Sequence, residues 1–514
     1  MPGGYIQLAA YGSQDFYLTA NPQISFFKTV YRRYTNFAMD FFRINPEGNI
    51  GLNDQELVTY KYKIERNADL INHIFFSFTL PDIYSADNIN FRWVKNIGFN
   101  IIESVSFFIG GSMIDEHYGE WFQIWHELTN SDKKETLNKM IGNIPEMYDP
   151  SNAPGNNGIY PNSNIITGRE QINVGPSILS RKIRVPLIFW FNRNPSLALP
   201  LIALQYDPIQ INIVCKKITD LYTIVDNVSS SPSYGMRIKP DPSNNNYNSK
   251  YGIQNLVNDS TMFVGTTGNK KLVNFSIDPY LDINYIYLDT KEMKNFAQTE
   301  HKYLIEQVRV KTFKGIIGNT TLDLQIHHPT TLMVIVPKRN DVEDRNDWNN
   351  YTNWIDEQIP PYSIGYQNEY YNKYENDTMA TETVTNSNFN FRKNINCLNN
   401  ISLKLNGVDR FSTQEPDFFN YLQSYSFSKS SPQEGVYPYS FSIDPFKFQP
   451  SGSCNMSRFN NIELTVETTD APIPKVAIAG ESLEYVYKFD INVYTINYNI
   501  LRIVSGMGNV EFSN

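Results

Sequence analysis

The chain has little cysteine. Cys215, Cys397 and Cys454 are too few and too widely separated in 514 residues for a disulfide framework or a thiolate metal site, so assembly in a reducing compartment is expected. Charge is also sparse, at 19% of residues, with a net charge of −9. Basic residues come as isolated pairs, such as Arg32-Arg33, Lys216-Lys217 and Lys270-Lys271. Neutralising a phosphate backbone needs clustered Lys and Arg, so the composition argues against direct nucleic-acid contact. No run approaches the ~18–20 uninterrupted apolar residues of a membrane-spanning helix. Met1-Pro2-Gly3-Gly4 lacks the basic region and apolar run of a secretory leader, and none is expected.

Aromatics are plentiful. The 34 Tyr and 32 Phe favour sheet over helix. The stretch Ile101–Leu128 combines an apolar strand to Ile109, a reversal at Gly110-Gly111, and Trp121, Ile124, Trp125 and Leu128 spaced as one helical face. A second version follows at Asn400–Tyr425. There Ile401, Leu403 and Leu405 alternate, Asn406-Gly407 is a hairpin pair, Pro416 suits a first helical turn, and Phe418, Tyr421, Leu422 and Tyr425 repeat the stripe. Two more anchors keep the same order. Leu187–Val214 and Phe441–Val466 each read as a strand, a Pro/Asn/Ser turn and an alternating strand. Leu281–Tyr285 (LDINY) is matched by Phe489–Val493 (FDINV). A repeat this long marks duplicated domains and not a solenoid of ~20–50-residue units.

In chain order, residues 1–25 show no sustained period and are expected to form an arm docked on its own domain or a neighbour. A first domain is expected over 26–290, with long polar loops at about 131–180 and 226–271. Residues 291–300 read as a connector, with a brief helix over Lys291–Phe296. A second domain is expected over 301–504, with a third polar loop at about 338–396, followed by a tail over 505–514. Tyr60, Tyr62 and Ile64 alternate with polar neighbours, as do Ile74, Phe76, Phe78 and Leu80, which implies one buried and one exposed face. Many short strands and little helix point to an all-β chain of two antiparallel sandwiches with short helices.

Chemistry is hard to find. Asp115, Glu116, His117, Glu120, His126 and Glu127 form the densest acid/His cluster, but lack His-Glu-x-x-His spacing and read as a solvated face. His327-His328 are adjacent on a strand and therefore point to opposite faces. Gly506-Met507-Gly508 and the segment Gly265–Lys271 read as turns. Pro450–Arg458 (PSGSCNMSR) contains Ser and Cys without a nearby His, so a tight turn with Arg458 held by carbonyls or a carboxylate is expected. No catalytic, metal-binding or cofactor-binding residue is assigned. Sequons are frequent in this Asn-rich chain. Asn227, Asn258, Asn350 and Asn376, in or near the expected loops, are the candidate glycan acceptors.

Several stretches resemble the major capsid proteins of nucleocytoplasmic large DNA viruses. They include GGYIQLAAYGSQDFYLTANPQISFFKTVYRRYTNFA at the start, IGGSMIDEHYGEW, FWFNRNPSLALPLIALQYDPIQI, FQPSGSCNMSRFNNIEL and the closing YNILRIVSGMGNVEFSN. The resemblance runs from end to end. It implies a double jelly roll, two eight-stranded sandwiches in tandem, and a structural role without enzymatic activity. It further implies homotrimers acting as pseudo-hexameric capsomers that tile an icosahedral shell. The long loops would face outward, and the N-terminal arm would lie at the base near minor capsid proteins or an inner membrane. Penton proteins would be partners, and synthesis would take place in the host cytoplasm. The rival reading from residues alone is a carbohydrate-binding or glycan-cleaving β-sandwich protein.

Overall fold

A computed structural model describes residues 3–512, apart from 49–50, 86–88, 131, 162–174, 227–236, 244–251, 257–274, 354–394, 470–475, 479–480 and 484–486. Eight strands build the first half: β1 (Phe37–Ile44), β2 (Val58–Ile64), β3 (Leu70–Leu80), β4 (Ile102–Ile109), β5 (Ser112–Tyr118), β6 (Arg181–Pro186), β7 (Ile209–Cys215) and β8 (Tyr280–Leu288). Eight more build the second: β9 (His301–Ile316), β10 (Asn319–Asp323), β11 (Pro329–Arg339), β12 (Leu398–Leu405), β13 (Val408–Gln414), β14 (Tyr437–Ser440), β15 (Ile462–Thr468) and β16 (Phe489–Val504).

The first eight pair antiparallel in the orders β1-β8-β3-β6 and β2-β7-β4-β5. The second eight repeat this with every number raised by eight, as β9-β16-β11-β14 and β10-β15-β12-β13. Two four-stranded sheets interleaved in this way are a jelly roll. The chain is therefore a double jelly roll, and the internal sequence repeat is a repeat of topology.

Local sequence explains the matched hairpins. Between β4 and β5 the turn is Gly110-Gly111, with φ of 58° and 85°; between β12 and β13 it is Asn406-Gly407, with φ of 49° and 80°. Two successive left-handed residues make the turn whose twist suits a two-residue hairpin, and Gly and Asn adopt it at least cost. Any Cβ on Gly110 would also lie 2.6 Å from Cγ of Asp207.

The cores follow the period-2 pattern. Tyr60 and Tyr62 point inward between exposed Lys61 and Lys63, and Ile209, Ile211 and Ile213 face inward from β7. Strand β11 departs from alternation because both its faces are covered. Met333 and Ile335 join the core of the second barrel, while Leu332, Val334 and Val336 join the core of the first. An unbroken apolar run signals a strand buried on both sides, and here the first barrel supplies the outer cover.

Connections are sorted by end. Residues 81–101, 119–180, 216–279, 340–397, 415–436 and 469–488 all link strands at the end where β1 and β3 finish and β8 begins, or their equivalents in the second barrel. The arm, the two-residue hairpins, the short connections 65–69 and 324–328 and the core-filling connections 187–208 and 441–461 lie at the opposite end. Both barrels point the same way. Glu120 meets Lys338 at the long-loop end, and Gly508 donates to Asp207 at the other.

Five expectations need correction. Strands begin at Phe37 and not near Phe26. The arm carries short helices at Gly3–Ala9 and Phe16–Thr19 with no buried residue, so it does not dock on its own domain. The strands expected to open at Leu187 and Phe441 lie just before them, at Arg181–Pro186 and Tyr437–Ser440. In the first barrel the apolar residues that follow, Leu187 to Phe191, fill the core from a loop and a helical turn, so their hydrophobicity does not report strand; in the second, Phe441 is partly buried and Ile443 is exposed. The excursion at 131–180 is partly core, because Leu137, Ile141 and Met147 on its short helices are buried; Ile253 and Leu256 in the second excursion are buried as well.

The fifth concerns the second helical stripe. Phe418–Gln423 is a π-helix, whose i→i+5 bonding shifts the buried face away from an α spacing. Phe419, Asn420 and Ser424 are buried, whereas Tyr421, Leu422 and Tyr425 face solvent.

Candidate functional site

The acid/His cluster between Asp115 and Glu127 is not a solvated face. It lies along the seam where the barrels meet, held by β5 and the helix Gly119–Thr129 that follows it. Asp115 and His117 are fully buried, with His117 Nε2 2.9 Å from Asp115 Oδ2 and the imidazole stacked on Phe189 at 4.6 Å. The other carboxylate oxygen of Asp115 accepts the backbone N–H of Val308 at 3.0 Å, and Gln307 Nε2 donates to the carbonyl of Ile114. A charged acceptor thus satisfies a donor of the other barrel's first strand.

One turn further on, Glu120 reaches into the second barrel. It lies 2.5 Å from Lys338 Nζ and accepts from Asn492 Nδ2 and Tyr494 OH, both at 2.7 Å. Burial pushes its carboxyl up, but Lys338 and the two donors outweigh this and hold it below the usual glutamate value. Trp121 stacks on Tyr494 at 5.3 Å, and Trp125 meets Phe446 edge-on at 5.5 Å. Arg193 lies 2.7 Å from Glu306, with its guanidinium 4.5 Å from the Trp125 ring centre. Trp348 Nε1 donates to the carbonyl of Asp220, and Asn346 Nδ2 to that of Tyr222. The seam is a mixed apolar and ionic interface that fixes the barrels side by side.

His126 stacks on Phe99 at 5.4 Å, and burial drives its pKa down to about 4. A histidine whose folded pKa falls below its unfolded value near 6.5 binds its proton mainly after unfolding. Its contribution is therefore fully present above pH 6.5 and lost as the pH falls towards 4. Melting temperatures of the His126→Gln variant, followed from pH 7 to pH 4, are expected to fall less steeply than those of the wild type.

None of these groups is arranged for chemistry on a bound substrate. Among the described residues no set of three or more His, Cys, Asp or Glu is placed to hold a metal ion. No described helix is long and apolar enough to cross a membrane. The Pro450–Arg458 segment pairs with the start of β11, Asn455 opposite Pro329 and Cys454 opposite Thr330. Burial raises the Cys454 thiol, the wrong direction for a nucleophile. Gly452 does turn at a φ of 128°, but Arg458 is exposed and not held as expected. His328, at a φ of 68°, ends the connection before β11, and Ser505-Gly506 forms the hairpin into Met507–Val510. The segment 265–271 lies outside the described residues.

Of the four candidate glycan acceptors, Asn227, Asn258 and Asn376 also lie outside the described residues. Asn350 is corrected. Its side chain is fully buried and its Nδ2 donates to Asp347 at 2.9 Å, so the nitrogen that would carry a sugar is engaged inside the fold.

Two jelly rolls in tandem, joined along a mixed apolar and ionic seam, place the chain in the class of double jelly-roll proteins. Comparison with known proteins agrees. A family model described as the major capsid protein N-terminus matches residues 25–289, and one described as the large eukaryotic DNA virus major capsid protein matches residues 292–509. The chain belongs to this family of large eukaryotic DNA virus major capsid proteins. It is 31% identical to the major capsid protein of Paramecium bursaria Chlorella virus 1 and 30% identical to that of Phaeocystis pouchetii virus, over all of each chain. A chain of the PBCV-1 virus capsid quasi-atomic model superposes with a TM-score of 0.65 at 25% identity, covering 95% of this chain and 100% of that one. These relatives are structural proteins and not enzymes. Membership makes this chain a component of a virion capsid.

Proposed function

We propose that three copies form a capsomer with six similar lobes, and that such capsomers tile the outer icosahedral shell of a large DNA virus. The observation that supports this is the strand order repeated with an offset of eight, in two barrels that point the same way. Three such chains supply six like units around one axis, which suits near-hexagonal packing. On this reading the barrels divide the chain at about 26–290 and 301–504. The long connections face outward, and the arm over 1–25 sits at the base, towards minor capsid and penton proteins and an inner membrane. Synthesis takes place in the host cytoplasm. Asn227, Asn258 and Asn376 are the proposed glycan acceptors, and peptide mapping by mass spectrometry of purified virions is expected to find sugar on them and none on Asn350.

Size-exclusion chromatography with light scattering tests the assembly. The expected mass is three times that of the 59.4 kDa chain. A monomer that binds or cleaves glycans would overturn the proposal.

A further inference from the structure

The carboxylate of Glu120 holds an amine on one oxygen and an amide on the other. Lys338 Nζ lies 2.5 Å from Oε1, and Asn492 Nδ2 donates to Oε2 at 2.7 Å. A carboxylate only accepts, so the Asn492 amide turns its NH2 group towards Glu120 and its Oδ1 away. That Oδ1 accepts from Thr312 Oγ1 at 2.8 Å. Tyr494 OH donates to Oε2 as well, which leaves Oε1 to Lys338.

Strand register brings these groups to one place. Thr312 on β9 is directly opposite Asn492 on β16, and Asn492 is opposite Val336 on β11, two residues before Lys338. Lys338 and Asn492 are therefore diagonal neighbours on one face, at a spacing of ~7–8 Å that a long side chain spans. The helix Gly119–Thr129 of the other barrel lowers Glu120 onto that face. Trp121 and Tyr494 stack beside it, and the Lys338 ammonium is 5.2 Å from the Tyr351 ring centre. Aromatic walls of this kind limit the water that would compete with an amine for the amide carbon. Glu120 rests ionised, the form a base requires.

An amine, a base, an amide and a donor on the amide oxygen are the parts of an acyl transfer. We infer that Lys338 and Asn492 become joined by an intramolecular isopeptide bond, with Glu120 as the proton shuttle. The cluster described above is the state before the bond forms. Glu120 takes a proton from the Lys338 ammonium, and the freed Nζ lone pair attacks Asn492 Cγ. The carbonyl electron pair moves onto Oδ1, where the Thr312 hydroxyl stabilises it. Glu120 passes its proton to Nδ2, the Cγ–Nδ2 bond breaks, and ammonia leaves past the exposed Thr312. Of the ammonium's protons, one stays on the new amide nitrogen, one leaves in the ammonia and one ends on Glu120. Nothing is oxidised or reduced, and no co-reactant is consumed. The product ties β11 to β16, both in the second barrel, whereas the base comes from the first. The bond therefore forms only once the barrels have docked, and it fixes the sheet on which the first barrel rests.

Intact-mass spectrometry of the full chain, denatured at intervals after purification, tests this. The wild type is expected to become lighter by one ammonia, and its digest to contain a branched peptide joining Lys338 to Asn492. Glu120→Gln and Lys338→Met are expected to keep their full mass. Thr312→Val, at an exposed position, should slow the loss roughly a hundredfold, the lower range for removing one oxyanion donor. Asn492→Asp should shed water in place of ammonia, a change that a purely structural contact would not produce. Circular dichroism checks the fold of each variant, and Thr312→Val and Asn492→Asp carry the test if Glu120→Gln folds poorly. A wild-type chain that keeps its full mass, both after prolonged incubation and when recovered from virions, overturns the inference. So does an ammonia loss that survives in Lys338→Met, the mark of a succinimide, which yields no branched peptide.

Discussion

Glu120→Ala is expected to lower the unfolding free energy by ~3–5 kcal/mol, the cost of leaving one member of a buried ion pair unpaired. The side chains of Glu120 and Lys338 are 11% and 17% exposed, so solvent rescues neither of them well. Tyr494 OH and Asn492 Nδ2 would lose an acceptor as well. Lys338→Ala is expected to be similarly harmful. The double variant Glu120→Leu, Lys338→Met should recover most of the loss, because desolvating the pair offsets much of its Coulombic gain. Urea unfolding of the wild type, Glu120→Ala, Lys338→Ala and the variant carrying both alanines forms a double-mutant cycle, and additive losses from the two sites would refute a coupled pair. The pH dependence has a definite sign. The folded pKa of Glu120 lies below its unfolded value, so its stabilisation is present above the ordinary glutamate pKa near 4.5 and is lost as the pH falls through the folded value.

Trp121→Ala is expected to be at least as damaging, at ~3–5 kcal/mol, the range for deleting a buried aromatic side chain. Trp121 is fully buried and lies flat against Tyr494 of the other barrel, so the cavity opens in the seam itself. Trp121→Phe should keep part of the stacking and cost less. The useful contrast is Tyr425→Ala, at the last position of the corresponding stripe in the second barrel. Tyr425 is exposed in the single chain, so its truncation should change monomer stability by no more than ~0.5 kcal/mol. Melting curves measured at concentrations where the chain is monomeric separate the two cases.

Much of the fold was legible because barrels of this kind advertise one face at a time. Ile209, Ile211 and Ile213, and their counterparts Ile462, Leu464 and Val466, alternate because each strand has one wet side. Gly110-Gly111 and Asn406-Gly407 betray their hairpins because few other residues adopt two left-handed conformations in a row. The misreadings share a cause, in that burial came from partners distant in sequence. Leu187 and Phe189 are apolar because a loop dips into the core. Asp115 and His117 look like surface polarity until β9 is laid beside them. Nothing in the local spacing of Glu120 announces Lys338, more than two hundred residues away. The stripe at Tyr421, Leu422 and Tyr425 misled for a different reason, since the α period is the wrong ruler for a π-helix.

Because the three longest connections, 119–180, 216–279 and 340–397, leave and re-enter at the same pole of both barrels, this architecture separates ornament from masonry. A peptide epitope grafted between Val225 and Phe275, or between Asn353 and Ile395, lengthens a link whose anchors are remote from the arm and from the tight hairpins. Any continuous layer built from such subunits would therefore display the graft on one side only, with its flanks and underside unaltered.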